Sequence, residues 1–313
     1  IVADASMHPF EGMNRFERAL DWLHRHEPQC AQVIEEHRDQ LQDFRVMKDY
    51  SYSCEQVFSS ERWCLTGEAG VALDPLYSPG GDLIAISNGL ILDLITRDLD
   101  GEDIEDQAAI HNQLFLTLTE SWLSTYEQQY AIMGHAQIMA AKVIWDTAVY
   151  WAIPGLLYFH DKFHSISEHP GIALNLLRFS ILSEHIQAFF REWSAIDRSV
   201  ASNTFIKYYD FDFMARLHVG MTAEIPDAEF ESQFVANVRF IERLAGQLVS
   251  TVIESYADDL EDETAQNQVK HWQEDAFLGE LIACYRQEEE QSPINSGWIT
   301  LGHQSREKRR VPR

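Results

Sequence analysis

The sequence predicts an α+β chain that is mostly α, in three parts: a mixed region over residues 1–100, a large helical domain over 101–285 and a tail over 286–313. Two observations predict this. Apolar residues recur at the three- and four-residue spacing of a helix from Asp82 almost to Tyr285, whereas apolar–polar alternation is confined to short stretches before residue 67. Glycine and proline punctuation is concentrated between Gly67 and Gly81, which marks a change of architecture there. With 313 residues and 45% hydrophobic composition the chain can bury a substantial core, and it shows no fixed-period repeat.

In order along the chain, Arg15 to His26 carries Phe16, Leu20 and Leu23 at helical spacing before Pro28, and a second helix is expected from Ala31 to Leu41. Asp43 to Tyr52 places Phe44, Val46, Tyr50 and Tyr52 on one alternating face and predicts a strand; Arg62 to Thr66 predicts a short strand running into Gly67. Two prolines and two glycines in Asp74-Pro75-Leu76-Tyr77-Ser78-Pro79-Gly80-Gly81 predict a rigid loop. A helix with Leu83, Ile86, Leu90 and Leu94 on one face follows from Asp82 to about Asp98. Beyond it, helices are expected over Asp103–Tyr130, Ala136–Phe159, Ile172–Ile196, Ala228–Tyr256 and Val269–Tyr285.

Charge narrows the function. Lys plus Arg number 24 against 50 Asp plus Glu, a formal net charge of −26, so phosphate backbones and anionic membranes would repel the chain. Cys30, Cys54, Cys64 and Cys284 contain no C-x-x-C, which fits reduced thiols and a cytoplasmic protein. No run of about 18 apolar residues calls for a membrane span. The opening Ile1-Val2-Ala3-Asp4 has neither an initiator Met nor a leader-like pattern, and reads as a chain entered partway through a larger protein. Five cations among the last eight residues read as a solvated tail.

The order strand, glycine turn, rigid loop, helix N-terminus is the informative part. A helix N-terminus offers unpaired amides and partial positive charge to an anion or polarised carbonyl. Gly80 and Gly81 let a planar ligand approach the backbone, and Glu68 at a strand end can accept hydrogen bonds from a polyhydroxy chain. An ordinary strand–turn–helix connection has the same outline.

Trp63-Cys64-Leu65-Thr66-Gly67-Glu68-Ala69-Gly70, followed by Leu73-Asp74-Pro75-Leu76-Tyr77-Ser78-Pro79-Gly80, resembles the second FAD-binding signature of flavin-dependent monooxygenases, most of all the flavin-dependent halogenase branch. The likeness extends more weakly to Phe44–Tyr50 and to Lys142–Trp151. It implies that residues 1–100 are the C-terminal remainder of a Rossmann-like FAD-binding domain. It further implies that Glu68 meets the ribityl chain, Asp74 and Pro75 shape the loop beside the isoalloxazine, Ser78, Pro79 and Gly80 lie beneath its pyrimidine end, and Gly81 is a further cofactor contact. The family more often has Asp at the position of Glu68, and here Tyr77 stands where tryptophan-type halogenases have an acid before the loop Ser. No G-x-G fingerprint occurs, which agrees with a missing upstream half. Val149-Tyr150-Trp151-Ala152-Ile153-Pro154 mimics the family's W-x-W-x-I-P signature, but Val149 replaces its first Trp, and the stretch reads as a buried helix kinked by proline.

The implied activity is that of a flavin-dependent oxidoreductase, monooxygenase or halogenase-like, using reduced FAD and dioxygen on an aromatic or carrier-bound small molecule. A flavin reductase would be its partner, and the fragment alone would be inactive. Two other readings stand beside it. One is a helical binding module that no longer holds flavin. The other is a magnesium-dependent terpenoid synthase, because Asp258-Asp259-Leu260-Glu261-Asp262 fits D-D-x-x-D; its partner motif is missing, and an acidic linker accounts for the cluster. None of the 13 histidines has Glu three residues before it, which argues against a di-iron bundle. His160 and His164 form an i, i+4 pair with no third metal ligand in view.

Overall fold

The computed structural model describes residues 1–198, 206–256, 262–289, 293–294 and 298–299. Two helices, α1 (Phe16–His26) and α2 (Pro28–Glu36), open the chain and pack on each other, with Ala19, Leu20 and Ala31 buried. Pro28 at the first helical position of α2 sets the break between them. Residues 41–49 then run exposed and irregular. The strand expected over Asp43 to Tyr52 is absent: Phe44, Val46 and Met47 are exposed, and one isolated bridge, Tyr52 to Ala72, is all that pairs. Alternation fixes a strand only where a neighbouring edge takes up its hydrogen bonds, and none lies alongside.

Two short strands, β1 (Phe58–Ser59) and β2 (Trp63–Cys64), pair antiparallel with Phe58 opposite Cys64 and Ser59 opposite Trp63. Among the described residues this is the only sheet, so the remainder of a Rossmann-like domain expected over residues 1–100 is not there. A doubly wound sheet needs several parallel strands, apolar on both faces and joined by crossover helices. Here the stretch before Gly67 supplies two helices, one two-residue ladder and exposed coil. The chain is predominantly helical.

The rest is mainly helix: α3 (Pro79–Leu99), α4 (Glu105–Leu123), α5 (Ala136–Ala152), α6 (Pro154–Phe159), α7 (Pro170–Ile196), α8 (Asp212–Met221), α9 (Asp227–Tyr256), α10 (Glu263–Glu274) and α11 (Ala276–Glu289). The periodicity predicts all of these but α8, which lies outside every expected helix, and α4 stops at Leu123, short of the expected Tyr130. The expected helix over Ala136–Phe159 divides at Ile153, because Pro154 has no N–H to donate and disfavours helical geometry in the residue before it. That over Val269–Tyr285 divides at Asp275, whose extended backbone ends α10 and whose Oδ1 accepts from Leu278 N near the start of α11 (2.9 Å).

One contiguous core spans Val57 to Ile299. Leu83, Ile86, Leu90 and Leu94 of α3 belong to it, as their spacing predicts. So do Trp145 of α5, Phe190 of α7 and Leu244 of α9. Gly246 lets α9 and α11 approach closely: a Cβ there would sit 2.4 Å from the Leu281 carbonyl oxygen. Trp298 is fully buried and donates its indole N–H to Gln247 Oε1 (2.8 Å). No helix among the described residues is long and apolar enough to cross a membrane. Asp258, Asp259 and the basic C-terminus lie outside the described residues.

Candidate functional site

The loop before α3 is held in an unusual backbone path. Tyr77 and Ser78 both adopt positive φ, 64° and 58°, the left-handed region that costs a non-glycine residue about 1 kcal/mol or more and persists only when neighbours impose it. The neighbours are identifiable. Asp74 Oδ1 accepts from Leu76 N (2.8 Å), and Ser78 N donates to Pro75 O (2.9 Å). Tyr130 donates its hydroxyl to Asp74 Oδ2 (2.6 Å), and Tyr150 of α5 donates to Asp82 Oδ1 (2.8 Å). Ser78 flanks α3 without a side-chain cap, and Pro79 at the first helical position has no N–H. The helix therefore begins with the amides of Gly80 and Gly81 uncapped by any side chain.

The six residues singled out by sequence are distributed unevenly. Glu68 is exposed in a single 3-10 turn (Gly67–Ala69) and its carboxylate lies over Gly80, where a Cβ would meet Oε1 at 2.4 Å. Gly81 faces open space. Asp74 is turned toward Tyr130, and Pro75 is exposed at the tip of the loop. Of the six, Ser78 alone lines a cavity, one of about 440 Å³ in which Tyr77, Pro79 and Asp82 stand beside it. That volume is within the range of small-molecule sites.

The opposite wall comes from residues far along the chain. Trp122 and Tyr126 enter from the end of α4 and the turn after it, Trp145, Asp146 and Tyr150 from α5, and Phe179 from α7. Their approach depends on packing rather than local spacing, and sequence reasoning did not assign them to the site. The Lys142–Trp151 block was noted only for its resemblance, and Val149–Pro154 was read as buried helix, yet Val149, Tyr150 and Pro154 line the cavity. The available signal was a Lys and an Asp four residues apart on one face of an otherwise apolar helix.

That pair is the electrostatic centre of the wall. Lys142 is fully buried, and its Nζ lies 2.8 Å from Asp146 Oδ2 while donating to Gln187 Oε1 (2.6 Å) and Thr125 O (3.1 Å). Gln187 returns a bond from Nε2 to Asp146 Oδ1 (2.7 Å). Burial pulls the Lys142 ammonium below its ordinary value, and Asp146 opposes the shift. The Tyr77 phenol is pushed up by burial and by Asp146, to which it hydrogen-bonds. Tyr126 is pushed up by burial and then by the charges of Asp146, Asp74 and Asp82. Burial raises Asp82, with the bond from Tyr150 opposing. The tyrosines thus remain neutral donors, and two carboxylates, Asp82 and Asp146, line the cavity beside one buried cation. The indole N–H of Trp145, buried in the same wall, has no acceptor among the described residues.

The residues at the helix start suit one edge of a planar, electron-rich ring: the Gly81 face is open, the amides point out of the helix, and a cavity adjoins them. They do not supply a cradle for a dinucleotide, since Glu68 occupies the Gly80 face and the described residues contain no parallel sheet. No three His, Cys, Asp or Glu side chains among the described residues come together as a metal site; His164 is near Asp161 (3.4 Å).

No family model matches the chain, and no solved structure matches it. The chain is similar to the flavin-dependent halogenase chlA of Dictyostelium discoideum, 20% identical over 143 residues, which covers 45% of this chain and 23% of that protein. The chain therefore spans under a quarter of that relative, whose name gives it flavin dependence and halogenation.

Proposed function

We propose that the chain forms the ring-facing loop and substrate chamber of a flavin-dependent oxidoreductase, monooxygenase or halogenase-like, acting on an aromatic small molecule. The observation that carries this reading is the 440 Å³ aromatic-walled cavity abutting the uncapped start of α3. The similarity to a flavin-dependent halogenase supports it independently. Reduced FAD, when bound, supplies the electrons that activate dioxygen. The Gly81 amide would hold the ring edge and favour negative charge on it. Trp122, Trp145 and Phe179 exclude water from the chamber and offer flat surfaces to an aromatic ring. Asp146, anchored by Lys142 and Gln187, accepts a hydrogen bond from a substrate hydroxyl or N–H and so orients it. The surrounding carboxylates favour a neutral acceptor molecule over an anionic one.

Flavin titration tests the reading directly. Because the chain supplies the ring end of a site and no dinucleotide cradle, lumiflavin and FAD are expected to be quenched with dissociation constants within about threefold of each other. Gly81→Val, which places a branched side chain on the open face, should weaken both by about tenfold. Flavin fluorescence indifferent to the protein, or unchanged by that substitution, removes the proposal. Turnover with and without bromide, once a reductant is supplied, separates halogenation from oxygenation. A second reading, a helical binding module without flavin, is favoured by the missing Rossmann-like sheet and by Glu68 lying across Gly80.

A further inference from the structure

A second cavity of about 400 Å³ lies between α4 and α7, closed below by Leu157 of α6 and by Phe163 and Ile166. Its walls are apolar almost throughout, with Leu114 and Leu118 on one side and Leu176 on the other. Its lips, Ile110 at 40% and Leu177 at 60% exposure, are themselves apolar. Three of its hydroxyls are already engaged: Ser121 and Ser180 share a hydrogen bond of 2.5 Å across the groove, and Thr117 Oγ1 accepts from Gln113 Nε2 (2.9 Å). The two cavities adjoin, because Ser121, Trp122, Pro154 and Phe179 belong to the walls of both.

We propose that the two cavities act as one bipartite chamber whose ligand is an amphiphile: a polar-headed ring beside Asp146 and Trp145, and an unbranched apolar arm lying in the α4–α7 groove. This rests on the loop-side cavity being the substrate chamber and adds the substrate's shape to that reading. The head must both donate and accept. A carboxylate has about four lone-pair sites, so Asp146 keeps acceptor capacity beyond Lys142, Gln187 and Tyr77, and the buried Trp145 N–H lacks an acceptor. The arm must be apolar, because the groove offers a polar group almost no partner and would make its desolvation uncompensated. The shared wall decides between an arm and a protein segment. A helix seated on the lips would reach the second cavity alone and leave the Trp145 N–H in the first without an acceptor. A ring with a flexible arm reaches both sides of that wall.

Isothermal titration of the chain, without flavin, with para-alkylbenzamides from methyl to pentyl tests the proposal, since the carboxamide donates and accepts and the arm grows by one methylene at a time. Affinity should rise by about threefold to fourfold per methylene until the groove is full. Thr117→Phe and Ala173→Phe, both exposed positions on the groove wall, should flatten that slope while leaving the methyl compound within about twofold and the far-UV spectrum unchanged. A flat wild-type series overturns the proposal, as does a slope that survives both substitutions. So does a concentration-dependent dimer that either substitution dissolves, since the groove would then seat a second copy. Loss of flavin quenching with the chain-length slope intact rejects the flavin reading alone; the reverse rejects the arm alone.

Discussion

At Gly67 the chain turns with φ of +50°, and a Cβ there would lie 2.3 Å from Ile84 Cγ1 and 3.2 Å from the Ile84 backbone. The Gly67 amide donates to Ser87 Oγ (3.0 Å), which pins the turn to α3. Both the backbone conformation and the space exclude a side chain. Gly67→Ala is therefore expected to lower stability by about 2–4 kcal/mol, read as a drop in urea midpoint at unchanged slope. A midpoint within error of wild type would show that the turn does not need its glycine. Gly67 was legible in the sequence as the end of a strand and start of a turn. Its reason, the contact with a helix residue seventeen positions later, was not. The loop 74–81 shows the same division: proline and glycine spacing predicted a rigid connection, while the positive φ of Tyr77 and Ser78 comes from tyrosines 130 and 150, which no local pattern links to it.

Between elements, the seam of α3 and α4 is closed by a buried charge network. His111 of α4 is fully buried, and its Nε2 bonds to Asp93 Oδ2 (2.8 Å), while Arg97 grips both oxygens of Asp93. Burial holds the His111 imidazole below its ordinary value; Asp93 opposes this, and His164 and Arg97 reinforce it. The neutral ring donates to Asp93 through Nε2. As pH falls, the unfolded chain takes up this proton first, so stability is full above about 6.5 and is lost as pH falls from there through the lowered folded value. His160 is lowered too, chiefly by burial, and adds to the slope. The urea midpoint should thus decline from pH 7.5 to 5, and His111→Gln, though less stable at neutral pH, should show a shallower decline. An identical slope in the variant would place the titration elsewhere. Helices were the legible elements because burial at Leu83, Ile86, Leu90 and Leu94 repeats with the helical period. The strand over 43–52 is absent because alternation says nothing about whether a partner edge exists; the expected Rossmann-like sheet rested on the resemblance of a short loop motif, which carries no information about strands outside it. The cavity wall was illegible because Trp122, Asp146 and Phe179 meet only once three helices have packed.

Over the whole molecule, the contiguous core begins at Val57, and α1 and α2 before it bury few residues. Residues 41–49 are exposed and without regular hydrogen bonding, so they should open at little cost in free energy. Within residues 1–198, trypsin is expected to cleave first at Arg45 or Lys48, leaving a product that begins near Asp49, as mass spectrometry of a time course would read. First cuts within α4 to α7 would contradict the placement of the core. The hydrogen bonds from Tyr130 to Asp74 and from Tyr150 to Asp82 run between the helical mass and the loop that precedes α3. Those two latches preorganise the mouth of the chamber before any guest arrives. A molecule that docks there meets a surface already set in shape, gives up little entropy on the host's side, and is discriminated by steric match rather than by the host folding around it.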